Sequence, residues 1–276
     1  MTPENPPPLS ATLAGKILLP VAVGQVLGGL ESLRSAQEYE PSGYLRGHSR
    51  FQTGPSTLPQ RFRRFLDSAT GAKMLNCATI AGGLLVLGRR QDRTAQVAGA
   101  ALMVASNKLS EIRTPYGRDG ADQMAAVILS YRLATALIPD RHVSDDLFLR
   151  AVNVQTCISY LASGAAKAIS STWLSGEALG MVLKTNSYGQ SFTARQLLKH
   201  PRLMRLLTWS TIGWESAFPL VYVLTPGRAD QAMVLVKLFH LGVALTMGLP
   251  RFFWGFSASH HSVAYVIRKR YLSDGN

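Results

Sequence analysis

Long apolar runs alternate with short polar or basic segments along the whole chain. The runs cover residues 9–30, 72–87, 94–109, 120–138, 145–169, 202–224, 232–249 and 252–267. A helix needs about 20 mainly apolar residues to cross a bilayer, and most of the runs approach that length. The pattern therefore predicts an all-α fold, a polytopic membrane helical bundle of about eight spans. The first run contains Lys16 and Pro20. If it lies flat at the membrane surface, about seven spans remain.

The segments between the runs suggest one transmembrane domain with short tails. Residues 1–8 are rich in proline and are predicted to be disordered, residues 9–270 form the domain, and residues 271–276 are a C-terminal tail. Arginines alternate with phenylalanines in residues 47–68, which predicts an amphipathic connector at the membrane surface. Residues 175–201 are too interrupted to span and are predicted to form short helices.

Composition supports a membrane location. Hydrophobic residues make up 47% of the chain and charged residues 16%, below the ~25% usual in soluble proteins. The formal charge is +13, and the basic residues cluster between apolar runs. This arrangement fits anionic lipid headgroups better than nucleic-acid phosphates. We therefore expect a multi-pass protein of the cell membrane, with the lipid bilayer as its partner and no nucleic acid.

Cysteine and histidine usage narrows the chemistry. Only Cys77 and Cys157 are present, both inside apolar runs, so no disulfide framework is indicated. The six histidines are scattered, so no metal site is predicted.

One lysine stands out within an apolar helix at residues 153–173. At helical spacing a polar stripe forms one face of this helix: Asn153, Thr156, Cys157, Tyr160, Gly164 and Lys167. Lipid cannot solvate such a stripe, so it must face protein or a water-filled cavity. Lys167 is near the helix end and could also snorkel to the headgroups. The stripe below it favours a functional lysine.

Glu215 and His240 lie in two other runs and are candidate partners for this lysine. Glu215 lies within residues 202–224, where an acid is costly unless it is paired or protonated. His240 lies within residues 232–249; a histidine there is either functional or a hydrogen-bonded packing residue. We predict that Lys167, Glu215 and His240 converge on one polar cavity.

Acidic residues open the helix at residues 120–138. Asp119 and Asp122 are suited to capping its N-terminus. Arg118 and Gln123 alongside them equally favour a loop that lines the mouth of the site.

Four motifs together resemble a known membrane family. They are Y-x-x-(A/S)-G-x-x-K at residues 160–167 with Trp173 six residues later, Y-G-R-D-G-A-D-Q at 116–123, E-x-x-F-P at 215–219, and F-H-L-G-V-A-L-T-M-G-L at 239–249. This combination is similar to the horizontally transferred transmembrane (HTTM) domain family of the vitamin K-dependent γ-carboxylase-like superfamily. The resemblance covers nearly the whole chain, but no counterpart of the animal carboxylases' lumenal domain is present.

The resemblance implies a function and a set of roles. It implies a quinone-dependent carboxylase or oxidoreductase that acts on a peptide or small substrate. Lys167 would be the base, His240 would hydrogen-bond the developing anion, and Glu215 would tune Lys167 or His240 by its charge. Tyr160, Trp173, Arg118, Asp119 and Gln123 are predicted to contact the substrate. The implied cofactor is a reduced, vitamin K-type quinone with oxygen and carbon dioxide as co-substrates and no metal. Either a separate protein would present the substrate, or the substrate is small or membrane-bound.

One departure keeps a second function open. Thr114 stands where the animal carboxylases have a histidine tied to oxygenation of the hydroquinone. The alternative is a non-catalytic membrane accessory protein for the maturation or export of a toxic peptide.

Overall fold

The computed structural model describes residues 9–43, 45, 59–113 and 119–273. Within these ranges the chain is helical and has no strand, so the predicted all-α class is confirmed. The α-helices are α1 (Leu9–Arg34), α2 (Gln60–Leu66), α3 (Ala69–Gly88), α4 (Arg93–Arg113), α5 (Gly120–Ala136), α6 (Arg141–Ala168), α7 (Ser171–Leu174), α8 (Ala178–Leu183), α9 (Phe192–Leu197), α10 (Pro201–Ser216), α11 (Pro226–Met247) and α12 (Pro250–Ser273). Short 3-10 helices occur at Ala36–Tyr39 and Phe218–Val223.

Three of the described helices are long and apolar enough to cross a membrane, namely α1, α3 and α11. The first is a continuous helix of 26 residues that contains Pro20, so the run left open by the sequence has the length of a span. The remaining predicted spans are helical, but they do not meet the same standard of length and apolarity. The fold is therefore compatible with a membrane protein. The number of about eight spans stays a prediction.

The predicted span at residues 202–224 is not one α-helix. The α-helix α10 ends at Ser216 and a 3-10 helix follows at Phe218–Val223. Pro219 accounts for the break, because its ring lacks the N–H and clashes with the carbonyl four residues earlier. The 16 residues of α10 extend only about 24 Å, less than the ~30 Å hydrocarbon core.

The segments between the predicted spans are described in part. The prediction of short helices in residues 175–201 is confirmed by α8 and α9. The connector at residues 47–68 contains α2, while its residues 47–58 lie outside the described part of the chain. The predicted disordered tail at residues 1–8 also lies outside it.

The chain divides into two compact units, residues 1–148 and 149–276, with the boundary inside α6. In the first unit, α3 packs against α1 and α4. A Cβ on Gly82 would lie 2.7 Å from the carbonyl oxygen of Gly99, and a Cβ on Gly99 would lie 2.6 Å from that of Gly82. The two backbones therefore touch, because glycine at both positions lets the helices approach closely.

Gly82→Ala is expected to lower the free energy of unfolding by about 1–3 kcal/mol, the usual cost of overpacking. The matched control is Gly88→Ala, because a Cβ at Gly88 meets nothing within 4 Å. Thermal unfolding of the detergent-solubilised chain measures both. Equal stability of the two variants would show that the helices do not touch at Gly82.

A buried ion pair joins α5 to α6 in the first unit. Arg132 Nη1 lies 2.6 Å from Asp145 Oδ1, and the two side chains are 2% and 8% exposed. The guanidinium also lies over the Phe148 ring, 5.6 Å from its centroid. A charge this deep is costly without its partner, so the pair fixes the position of α6 beside α5. The sequence analysis did not predict this contact.

The second unit is built around the α11–α12 pair. The α11 helix ends at Met247 because Gly248 takes a left-handed conformation, with φ of 69°. Buried apolar side chains from four elements form its core: Tyr160, Phe218, Val221, Ala229, Met233, Val263 and Ile267.

Candidate functional site

The second unit contains a lysine–glutamate pair between α6 and α10. Lys167 Nζ lies 2.6 Å from Glu215 Oε2, and the side chains are 17% and 9% exposed. Gly164 allows this approach, because a Cβ there would lie 2.5 Å from the backbone nitrogen of Ser216. The Lys167 ammonium also donates to Ser163 Oγ and lies over the Trp173 ring, 5.0 Å from its centroid.

The pair argues against a snorkelling lysine, since the ammonium has a counter-ion inside the protein. In this surrounding the attraction between the charges is stronger than in water. The same contact changes the expected chemistry. An ammonium beside a carboxylate has no free electron pair, so in this state Glu215, not Lys167, is able to accept a proton.

A second polar group lies deeper in the same unit. The Tyr160 hydroxyl is 2.7 Å from His240 Nε2 and 2.9 Å from His260 Nε2. Tyr160 and His240 are 2% exposed and His260 is 1% exposed. Tyr160 is therefore a buried bridge between two imidazoles, and its predicted contact with substrate stays a prediction.

Aromatic rings enclose this bridge. The Tyr160 ring lies 4.3 Å from that of Phe218 and 5.0 Å from that of Trp214, between centroids. The Phe256 ring stacks on His240, with centroids 4.8 Å apart and an interplanar angle of 16°. The surroundings of the bridge are mainly aromatic and therefore of low dielectric. The hydrogen bonds between its nitrogen and oxygen atoms are stronger there than in water.

The two groups share the contact between α6 and α10. Tyr160 and Lys167 are seven residues apart on α6, about two turns, and so lie on one face. Trp214 contacts Tyr160, and the next residue, Glu215, contacts Lys167. The charge of Glu215 also acts on Tyr160. His240 bonds to Tyr160 on α6, and its convergence with Lys167 and Glu215 on one polar cavity stays a prediction.

The loop before α5 has a clear structural role. Asp119 accepts hydrogen bonds from the backbone of Ala121 and Asp122, at 2.8 and 3.2 Å, and Asp122 accepts one from the backbone of Asp119. The predicted capping is therefore confirmed. Gln123 is exposed in the first turn of α5, and Arg118 lies outside the described residues. These residues belong to the first unit, so their place beside Lys167 stays a prediction.

Sequence analysis missed His260. Its signal is the segment S-A-S-H-H-S at residues 257–262, a polar patch within the otherwise apolar α12. It also missed the partner of Asn153, whose Oδ1 accepts a hydrogen bond of 2.7 Å from the Tyr222 hydroxyl. Both partners are far from the lysine helix in sequence, and only the fold brings them to it.

The described residues contain no group of three or more His, Cys, Asp or Glu side chains that could hold a metal ion. They do contain buried polar atoms that fit an oxygen-bearing aromatic molecule. Trp214 Nε1 and Ser257 Oγ are buried without a hydrogen-bond partner. A donor of this kind beside flat rings suits the oxygen of a quinone.

Comparisons with family models, with characterised proteins and with solved structures found no match for this chain. The family resemblance therefore rests on the sequence motifs, and its functional implications are proposals.

Proposed function

We propose that the chain is a multi-pass enzyme of the cell membrane, similar to the γ-carboxylases, in which Lys167 and Glu215 together take a proton from an acidic hydroxyl. The observation that carries the proposal is the 2.6 Å contact of these two residues, at the position where the sequence resemblance expects a base. The three helices of spanning character support the membrane location.

The pair acts as one unit. Glu215 Oε2 accepts the proton, and Lys167 Nζ stays an ammonium beside it. The net charge of the pair changes from zero to +1, which stabilises a new oxyanion. Preorganised charge of this kind is worth more in a site that excludes water. Ser163 and Trp173 hold the ammonium in place through a hydrogen bond and a cation–π contact.

A reduced quinone, when bound, would supply the acidic hydroxyl and the electrons for reduction of oxygen. Trp214, Phe252 and Phe256 offer flat apolar surfaces for its ring, and Trp214 Nε1 offers a donor. Carbon dioxide would be the second co-substrate. A separate protein would present a peptide substrate.

The test uses the full chain in liposomes with a vitamin K-type hydroquinone, oxygen and ¹³C-labelled bicarbonate. A peptide extract of the producing cells serves as the acceptor. We expect hydroquinone consumption above that of empty liposomes, together with ¹³C in peptide products by mass spectrometry. Consumption equal to that of empty liposomes would contradict a quinone-linked enzyme.

The second candidate is the non-catalytic accessory protein for a toxic peptide. The same contact favours it, because Lys167 and Glu215 neutralise each other and could serve only to join α6 to α10. The double variant Lys167→Met/Glu215→Leu separates the two functions. It removes both charges without leaving one unpaired, so a structural role predicts unchanged peptide maturation. Loss of maturation at matched membrane levels supports the enzyme.

A further inference from the structure

Three side chains of the second unit form a linear series of hydrogen bonds, His240–Tyr160–His260. The Tyr160 hydroxyl contacts the Nε2 atoms of His240 and His260, at 2.7 and 2.9 Å. The outer nitrogens of both rings, the Nδ1 atoms, are buried and have no hydrogen-bond partner among the described residues. This series of hydrogen bonds therefore has two free ends, the Nδ1 atom of each imidazole.

The hydroxyl restricts the tautomers of the two rings. A phenol has one hydrogen to donate, so it donates to one Nε2 and accepts from the other. If both Nε2 atoms carried a hydrogen, the phenolic hydrogen would have no acceptor in the cluster. The arrangement in which the hydroxyl both donates and accepts has two neutral imidazoles of opposite tautomer, and one Nδ1 atom then carries a hydrogen.

We propose that His240, Tyr160 and His260 form a proton relay whose ends are the two Nδ1 atoms. A proton binds the bare Nδ1 of one ring, and that ring passes its Nε2 hydrogen to the Tyr160 oxygen. The phenol passes its own hydrogen to Nε2 of the other ring, which releases the hydrogen on its Nδ1. One proton enters, one leaves, and all three groups stay neutral with both tautomers reversed.

Ionisable groups lie near the relay. The charge of Glu215 acts on Tyr160, and the charges of Lys237 and His261 act on His260. Lys237 is half-buried on α11, one turn before His240. Acid–base groups therefore lie near the phenol and near the His260 end of the relay. Its use in removing the proton that Glu215 accepts rests on the proposed function, whereas the relay itself does not.

The test is nitrogen NMR of the full chain, labelled with ¹⁵N-histidine, in lipid nanodiscs without substrate. The chain has six histidines, so His240→Gln and His260→Gln assign the two signals. We expect two neutral rings of opposite tautomer in the unmodified protein, with Nδ1 of both rings exchanging between protonated and bare forms at a common rate. Two rings of the same tautomer, or a cationic ring, would overturn the relay without the need for any variant.

Tyr160→Phe keeps the aromatic packing and removes the bridge. We expect it to slow the exchange at both rings by at least about a hundredfold, the low end of the usual effect of proton transfer by a positioned side chain. Tyr222→Phe is the matched control, since it deletes a hydroxyl in the same unit that bonds to Asn153 instead of histidine. Unchanged exchange in Tyr160→Phe, or equal slowing in both variants, would overturn the proposal. Because no substrate is present, failure of the liposome assay leaves this result unaffected.

Discussion

Glu215→Gln is expected to lower hydroquinone consumption by about a hundredfold or more, the usual scale for a missing general base. The amide keeps the shape of the side chain and cannot accept the proton. Lys167→Met should cause a similar loss, because the new oxyanion loses its counter-ion and Glu215 becomes a buried charge without a partner. The measurement is the initial rate in liposomes that contain equal amounts of each variant.

The control makes the same chemical change on the surface of the same unit. Glu177 is exposed and its side chain does not cap α8, so Glu177→Gln should keep the unmodified rate. Equal rates for Glu215→Gln and Glu177→Gln would show that the buried carboxylate takes no part in the reaction.

Asp145→Asn is expected to lower the free energy of unfolding by about 3–5 kcal/mol, the usual cost of breaking a buried ion pair. The substitution leaves the Arg132 guanidinium charged and only 2% exposed. Its Nε already lacks a hydrogen-bond partner, so little remains to compensate for the lost carboxylate. Thermal unfolding of the detergent-solubilised chain, followed by circular dichroism, measures the change.

Asp230→Asn is the matched control for this prediction. Asp230 pairs with Arg268 at 2.6 Å, but both side chains are about half exposed, so its loss should cost no more than about 1 kcal/mol. A loss in Asp145→Asn as small as in the control would mean that water solvates Arg132 in the folded protein.

The long helices were predictable from the sequence because each apolar run is too long for a strand and has the length of a helix. Pro219 also indicates the break after α10. The prediction nevertheless treated residues 202–224 as one span, because the residues on both sides of the proline are apolar. The 3-10 helix at Phe218–Val223 shows that a proline in an apolar run ends the α-helix even where hydropathy continues. The number of spans is harder to predict from the sequence, because several helices have both an apolar and a polar face.

The sequence indicated single residues of the candidate site, but not the contacts between them. Lys167 and Glu215 stand out because a charge in an apolar run needs a partner, and the fold makes each the other's partner. His260 and Arg132 were missed although both lie in apolar runs, at residues 252–267 and 120–138. Only tertiary packing shows that each is buried and which residue it contacts. Pairing across 13 to 100 residues of sequence is not visible in local periodicity.

The most direct test of the Lys167–Glu215 pair compares Lys167→Arg with Glu215→Gln in the liposome assay. The guanidinium stays protonated, bonds a carboxylate in two places and stacks on an aromatic ring such as Trp173. If Glu215 accepts the proton and Lys167 supplies the positive charge, Lys167→Arg keeps at least about a tenth of the rate while Glu215→Gln loses about a hundredfold. The reverse result, an inactive Lys167→Arg and an active Glu215→Gln, would contradict the pair and make the amine of Lys167 the sole base.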